Sequence, residues 1–163
     1  MELKKWIERW NYLGIPAYET EIGVEFRNRK FPPKIKSEPN FIYINITETD
    51  LFCLDIEGVP GSVEEFEFYL NSKGVLLNDL FYERTRNGGY HIYFRDHNKL
   101  RRNNFGQRIG RILYDSLSVG RVFTSPSEFK NKKYTFGNKT PFDIESINEI
   151  PIIPNWVISD FEK

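Results

Sequence analysis

Asp55 and Glu57 stand two residues apart at the end of Leu51-Phe52-Cys53-Leu54-Asp55-Ile56-Glu57-Gly58, an apolar run that breaks at a glycine. A run of this kind predicts a buried strand. Side chains alternate faces along a strand, so Asp55 and Glu57 share one face and Ile56 enters the opposite layer. Two carboxylates so placed repel one another and lose solvation unless a cation lies between them. Hard oxygen ligands at this spacing suit Mg²⁺ or Mn²⁺. The alternative is a strand end at which Glu57 is merely solvated and Asp55 caps a turn.

A second group follows at Thr85-Arg86-Asn87-Gly88-Gly89-Tyr90-His91-Ile92-Tyr93-Phe94. Asn-Gly-Gly between two β-like runs predicts a tight hairpin, with His91 and Tyr93 on one face of the outgoing strand. The amides of consecutive glycines can cradle phosphate oxygens, with the imidazole as a further donor. His91 as a hydrogen-bonded structural residue is the plainer alternative. A third carboxylate, Asp115, follows the stretch from Ile109 to Tyr114, ahead of Gly120-Arg121-Val122-Phe123-Thr124-Ser125-Pro126-Ser127. Asp143-Ile144-Glu145 repeats the acidic spacing but lacks the apolar run and trailing glycine, and reads as a surface strand or turn.

The elements that must carry these groups are legible in outline. Leu3, Trp6, Ile7, Trp10 and Leu13 fall at helical spacing before Gly14. Short strands are expected at 15–18, 22–26 and 41–46, and a proline-stiffened basic loop at 29–34. Val63, Phe66 and Leu70 place a helix between Gly61 and Ser72, with Ser62 and Glu65 as a capping box and Gly74 as its stop. A strand is expected within 76–86 and another over Lys132-Lys133-Tyr134-Thr135-Phe136. The tail from Ile150 to Ile158 is extended and ends in a helical turn.

At 163 residues with 39% hydrophobic and 16% aromatic content, the chain is expected to be one globular domain over 1–163. Cys53 is the only cysteine, which excludes disulfides and cysteine-rich zinc sites within the chain. With no signal-peptide core at Met1–Trp6 and no membrane-length apolar run, a reducing cytoplasm is the expected compartment. Net charge is zero, yet the stretch from Arg95 to Lys139 holds eleven basic residues against three acidic ones. Such polarity fits a polyanion or a triphosphate held against the basic part; a solvated basic surface is the alternative.

Taken in order, these pieces resemble the archaeo-eukaryotic primase superfamily, in its primase-polymerase branch of plasmids and viruses. The likeness rests on Asp55-Ile56-Glu57, on Gly88-Gly89-Tyr90-His91, and on Asp115 followed by Gly120 and Pro126-Ser127. Lys133-Tyr134-Thr135-Phe136 and Pro154-Asn155-Trp156 are similar to the family's as well. The resemblance implies an α+β fold, an RNA-recognition-like antiparallel or mixed sheet flanked by helices. It implies that Asp55, Glu57 and Asp115 hold catalytic Mg²⁺ or Mn²⁺ and that His91 with Asn87, Gly88 and Gly89 binds the triphosphate. Arg95, Lys132 or Lys133 would neutralise pyrophosphate, and Lys99, Arg101, Arg102 and Arg121 would contact nucleic acid. The implied activity is template-directed addition of dNTP or NTP to a 3′-hydroxyl on single-stranded DNA, with a helicase supplied in the same protein or in trans. Asn87 stands where the family often has serine, and Ser116-Leu117-Ser118 lacks the arginine common after the third carboxylate. Two other readings are a catalytically silent single-stranded nucleic-acid binder and a two-metal Asp-x-Glu 3′-exonuclease, whose later motifs are not found.

Overall fold

The computed structural model describes residues 3–20 and 40–162. In chain order the helices are α1 (Leu3–Tyr12), α2 (Ser62–Ser72) and α3 (Asn155–Asp160). The strands are β1 (Ala17–Thr20), β2 (Phe41–Asn45), β3 (Leu51–Ile56), β4 (Phe81–Arg84), β5 (Tyr90–Arg95) and β6 (Asn104–Ile109). They continue with β7 (Ile112–Leu117), β8 (Arg121–Thr124), β9 (Glu128–Phe129), β10 (Lys132–Lys133) and β11 (Thr135–Phe136).

Among the described residues a six-stranded sheet runs β11-β4-β5-β3-β7-β6, and every neighbouring pair in it is antiparallel. A three-stranded sheet runs β1-β2-β8, and β9 pairs with β10. The class is therefore α+β with antiparallel sheets. No helix among the described residues is long and apolar enough to cross a membrane.

The central strand β3 is apolar on both faces because both are covered. Phe52, Leu54 and Ile56 pack with Phe66 and Leu70 of α2 and with Val157 and Phe161 at the α3 end. Cys53 faces the other way, with Tyr93, Phe81 and Leu117, against Trp6 and Trp10 of α1 and Ile42 and Ile44 of β2. The sheet is thus the middle of three layers. On its α1 face the apolar cover stops after Cys53, and the next residue on that face is Asp55.

Several local expectations need correction. Ser62 and Glu65 do not form a capping box. Gly61 occupies the N-cap with φ 85°, and no side chain caps it. Ser62 Oγ instead accepts from Leu113 N at 3.0 Å, and Glu65 accepts from Arg111 N, so both residues tie α2 to the β6–β7 turn. Residues 132–136 are not one strand: β10 pairs with β9, β11 pairs with β4, and Tyr134 turns inward between them. Asp143 closes a short 3₁₀ turn by accepting from Thr140 N at 2.8 Å, in keeping with a surface turn there. The strand expected at 22–26 and the basic loop at 29–34 lie outside the described residues.

Candidate metal centre

Strand register collects the site. Asp55 pairs with His91 across β3–β5 and with Asp115 across β3–β7, while His91 pairs with Glu83 across β4–β5. Directly opposed residues project from the same face. One row across four strands therefore reads Glu83, His91, Asp55, Asp115, and Glu57, two residues beyond Asp55, stands on the same face.

Asp55, Glu57 and Asp115 each offer a carboxylate oxygen, and the three atoms lie within 4.8 Å of one another. Oxygens on opposite sides of a bound Mg²⁺ lie about 4.2 Å apart, so a small closure would let all three share one hard cation. Burial pushes the Glu57 carboxyl above its ordinary value, and Asp55 and Asp115 raise it further. Burial also raises Asp115 and Asp55 adds to it, against the Gly106 amide, which donates to Asp115 Oδ1 at 2.7 Å. This is the electrostatic pattern of a group that gains from a cation.

The other half of the row is a buried charge network. Glu83 is fully buried. Its Oε1 accepts from Ser125 Oγ (2.6 Å), Ser125 N (2.8 Å) and Thr124 Oγ1 (3.1 Å), and its Oε2 accepts from Tyr93 Oη. His91 Nδ1 lies 3.3 Å from Glu83 Oε2, and its Nε2 lies 3.5 Å from Asp55 Oδ2. Burial alone would lower the imidazole pKa. The attraction of Asp55 and the hydrogen bonds to Asp55 and Glu83 outweigh it, leaving His91 raised to about 10. His91 is thus a buried cation between two carboxylates, which holds Asp55 in place from the side opposite Asp115.

The glycines act by close packing. A Cβ on Gly89 would fall 2.0 Å from Ile56 O, and one on Gly58 would fall 2.1 Å from Asn87 O. The end of the acidic strand and the β4–β5 turn therefore touch backbone to backbone. The expected phosphate cradle is corrected here: Gly88 N donates to Thr85 O (2.9 Å) and Gly89 N to Thr85 Oγ1 (3.1 Å), so both amides are spent inside the turn.

Two clefts flank the carboxylates and share no lining residue. One, at the β4–β5 turn, is lined by Glu57, Gly58, Val59, Pro60, Arg86, Asn87 and Lys132. The other opens toward β6 and β8, with Asp55, His91 and Asp115 meeting Phe105, Arg121, Phe123 and Tyr134. The Arg86 guanidinium lies over the rings of Phe129 (5.4 Å) and Phe41 (5.9 Å), which hold it in place. No protein-family model, curated protein or solved structure matches this chain.

Of the remaining expected residues, Asn87 and Arg121 reach the clefts and others do not. Arg95 lies four residues beyond His91 at the far end of β5, where its Nε donates to Ile150 O at 2.7 Å. Lys133 lines neither cleft and pairs with Glu128 at 3.8 Å, whereas its neighbour Lys132 lines the Glu57 cleft. Lys99 is buried, with Nζ donating to Leu51 O (2.6 Å) and Ile46 O (2.8 Å); burial, then the nearby Arg101, lowers its pKa to about 8. Arg101 donates to Thr47 O from an exposed position, and Arg102 is exposed. Glu83, Arg86 and Phe105 were not anticipated. For Glu83 a signal existed: it follows Phe81 by two residues, on the face that Phe81 buries.

Proposed function

We propose that this chain is a template-directed nucleotidyltransferase of primase-polymerase type, working with Mg²⁺ or Mn²⁺ on single-stranded DNA. The observation that carries the reading is the convergence of Asp55, Glu57 and Asp115, from two paired strands, at the boundary between a basic cleft and an aromatic cavity. A divalent cation held by these carboxylates would supply Lewis-acid neutralisation at a phosphate. Arg86 and Lys132, rather than Arg95 and Lys133, would attract the polyphosphate of an incoming dNTP or NTP. His91 acts here as a positioning cation for Asp55 and not as a direct phosphate donor, since both of its nitrogens face carboxylates.

The finer fold assignment goes with this reading. The β3-α2-β4 crossover and the spatial order β4-β5-β3-β7 support an RNA-recognition-like core, in which the edge strand β6 stands where a second crossover helix would join β5 to β7. The test is incubation of the purified chain with circular single-stranded DNA, labelled nucleotides and Mn²⁺, with and without an annealed primer. Incorporation that is abolished by Asp55→Asn is expected. Loss of label from a 3′ end without added nucleotide would assign the exonuclease instead, and DNA binding with no incorporation would assign a silent binding module.

A further inference from the structure

The end of the sheet remote from the carboxylates carries a groove that nucleotidyl transfer does not use. β5 runs from the Gly89 turn to Arg95, four residues past His91, so its far end lies on the order of 13 Å from the row. There the tail meets the sheet. Arg95 N donates to Pro151 O and Ile153 N to Arg95 O, both at 2.9 Å, and α3 follows. The groove at this junction has a volume of about 450 Å³, and Leu100, Ile152, Ile153 and Ile158 line it together with Asp96 and Glu162. Leu100 is 62% exposed, Ile152 62% and Ile158 46%, so three large aliphatic side chains meet water around one depression. Apolar surface gathered in this way marks an interaction site, whereas scattered exposure would not.

The charges of the groove are unbalanced. Asp96 and Glu162 are both half-buried, and neither is ion-paired among the described residues. Burial raises the Glu162 carboxyl above its ordinary value and Asp96 raises it further, with no cation acting against them. Arg95 and His97 line the groove as well, and both are committed. Arg95 Nε donates to Ile150 O at 2.7 Å, and His97 Nδ1 lies 2.7 Å from Asp50 Oδ2. A cationic side chain brought to Asp96 and Glu162 would relieve their repulsion. The backbone at the rim decides the shape of its carrier. Ile152 stands between Pro151 and the already bonded Ile153, with Pro154 next, so an added strand finds one N–H at most. A helix needs no backbone partner, and it lays apolar side chains from successive turns into a groove.

We propose that this groove docks an amphipathic helix of a partner protein, with aliphatic side chains against Leu100, Ile152 and Ile158 and a lysine or arginine at Asp96 and Glu162. The groove shares no residue with either cleft beside the carboxylates, so the proposal stands whether or not the chain transfers nucleotides. The probe is a synthetic lactam-locked helix of about 14 residues, with leucine along one face and lysine beside it. It is titrated into the intact, methyl-labelled chain, with NMR shifts locating the contact and fluorescence anisotropy giving the affinity. Shifts are expected at the methyls of Leu100, Ile152 and Ile158. Ile152→Ser and Glu162→Lys replace accessible side chains, and circular dichroism checks that both fold. Each is expected to weaken binding about tenfold or more, while Phe68→Ser on the outer face of α2 changes nothing. A peptide with glutamate in place of lysine should bind Glu162→Lys better than it binds the wild type, which a purely apolar contact would not produce. Absence of shifts at the three methyls overturns the proposal, as does equal affinity for a peptide of scrambled order. Self-association in sedimentation that Ile152→Ser abolishes would overturn it in favour of a second copy of the chain. Binding to phosphatidylglycerol vesicles that the same substitution abolishes would overturn it in favour of a lipid surface.

Discussion

Among single residues, Glu83 and the three carboxylates of the cation site make opposite demands. Glu83 is a buried anion with donors on both oxygens and His91 as its counter-charge. Removing it in Glu83→Ala leaves His91 with Asp55 as its one remaining carboxylate and takes the acceptor from the buried Ser125 amide and the Ser125, Thr124 and Tyr93 hydroxyls. A stability loss of about 3–5 kcal/mol is expected in urea titration. Asp115 and Glu57 behave the other way, because burial and mutual repulsion raise both pKa values above the ordinary carboxylate range. A raised carboxyl pKa means that the folded state binds the proton more tightly than the unfolded chain. Their contribution therefore favours folding at acidic pH and is lost as pH rises through the raised values. Metal-free Asp115→Asn should accordingly melt about 2–4 °C above wild type at pH 7, for about 1 kcal/mol gained. Mn²⁺ should raise the wild-type melting temperature at pH 7 and have little effect near pH 4; an Mn²⁺ shift independent of pH would argue against carboxylate ligation.

At the level of elements, the site is a product of register. A slip of one residue between β3 and β7 would turn Asp115 to the opposite face and dissolve the row. The backbone contact between Gly58 and Gly89 guards the end of β3 against displacement. Gly89→Ala should therefore cost stability of about 1–3 kcal/mol and weaken Mn²⁺ binding in the same variant, measured by melting and by calorimetry. The acidic strand, the hairpin and α1 were legible because each has a strong local pattern: an apolar run, a double glycine, and a helical stripe of tryptophans. The capping box expected at Ser62 and Glu65 does not form because both side chains are drawn to amides of the β6–β7 turn, about fifty residues away in sequence, which no local pattern announces. The split of 132–136 between two sheets was hidden for the same reason. The row from Glu83 to Asp115 needed both neighbours of β3 to be known, and pairing partners are not written in spacing.

For the molecule as a whole, charge is distributed less simply than the count of basic residues suggests. Within the basic stretch, Arg95 and Lys99 are spent on backbone carbonyls, while Arg102, Arg108 and Arg111 are exposed. Single-stranded DNA binding should weaken with salt, and Arg102→Gln and Arg121→Gln should each flatten the log–log slope by about 0.7. Lys99→Met should leave that slope unchanged. It should instead lower stability by about 1–3 kcal/mol, because two carbonyls at the β2–β3 connection lose their donor.

The lone thiol of Cys53 sits at the middle of β3, wholly enclosed, with burial and the nearby Asp55 raising its pKa well above the usual value. Thiolate is the reactive form, so the folded chain should resist maleimide and aromatic disulfide reagents under native conditions. Alkylation then becomes a stopwatch on the opening of one strand, the strand that bears the carboxylates. Its rate with and without divalent cation would read how firmly an occupant clamps the interior, with no label introduced and no turnover required.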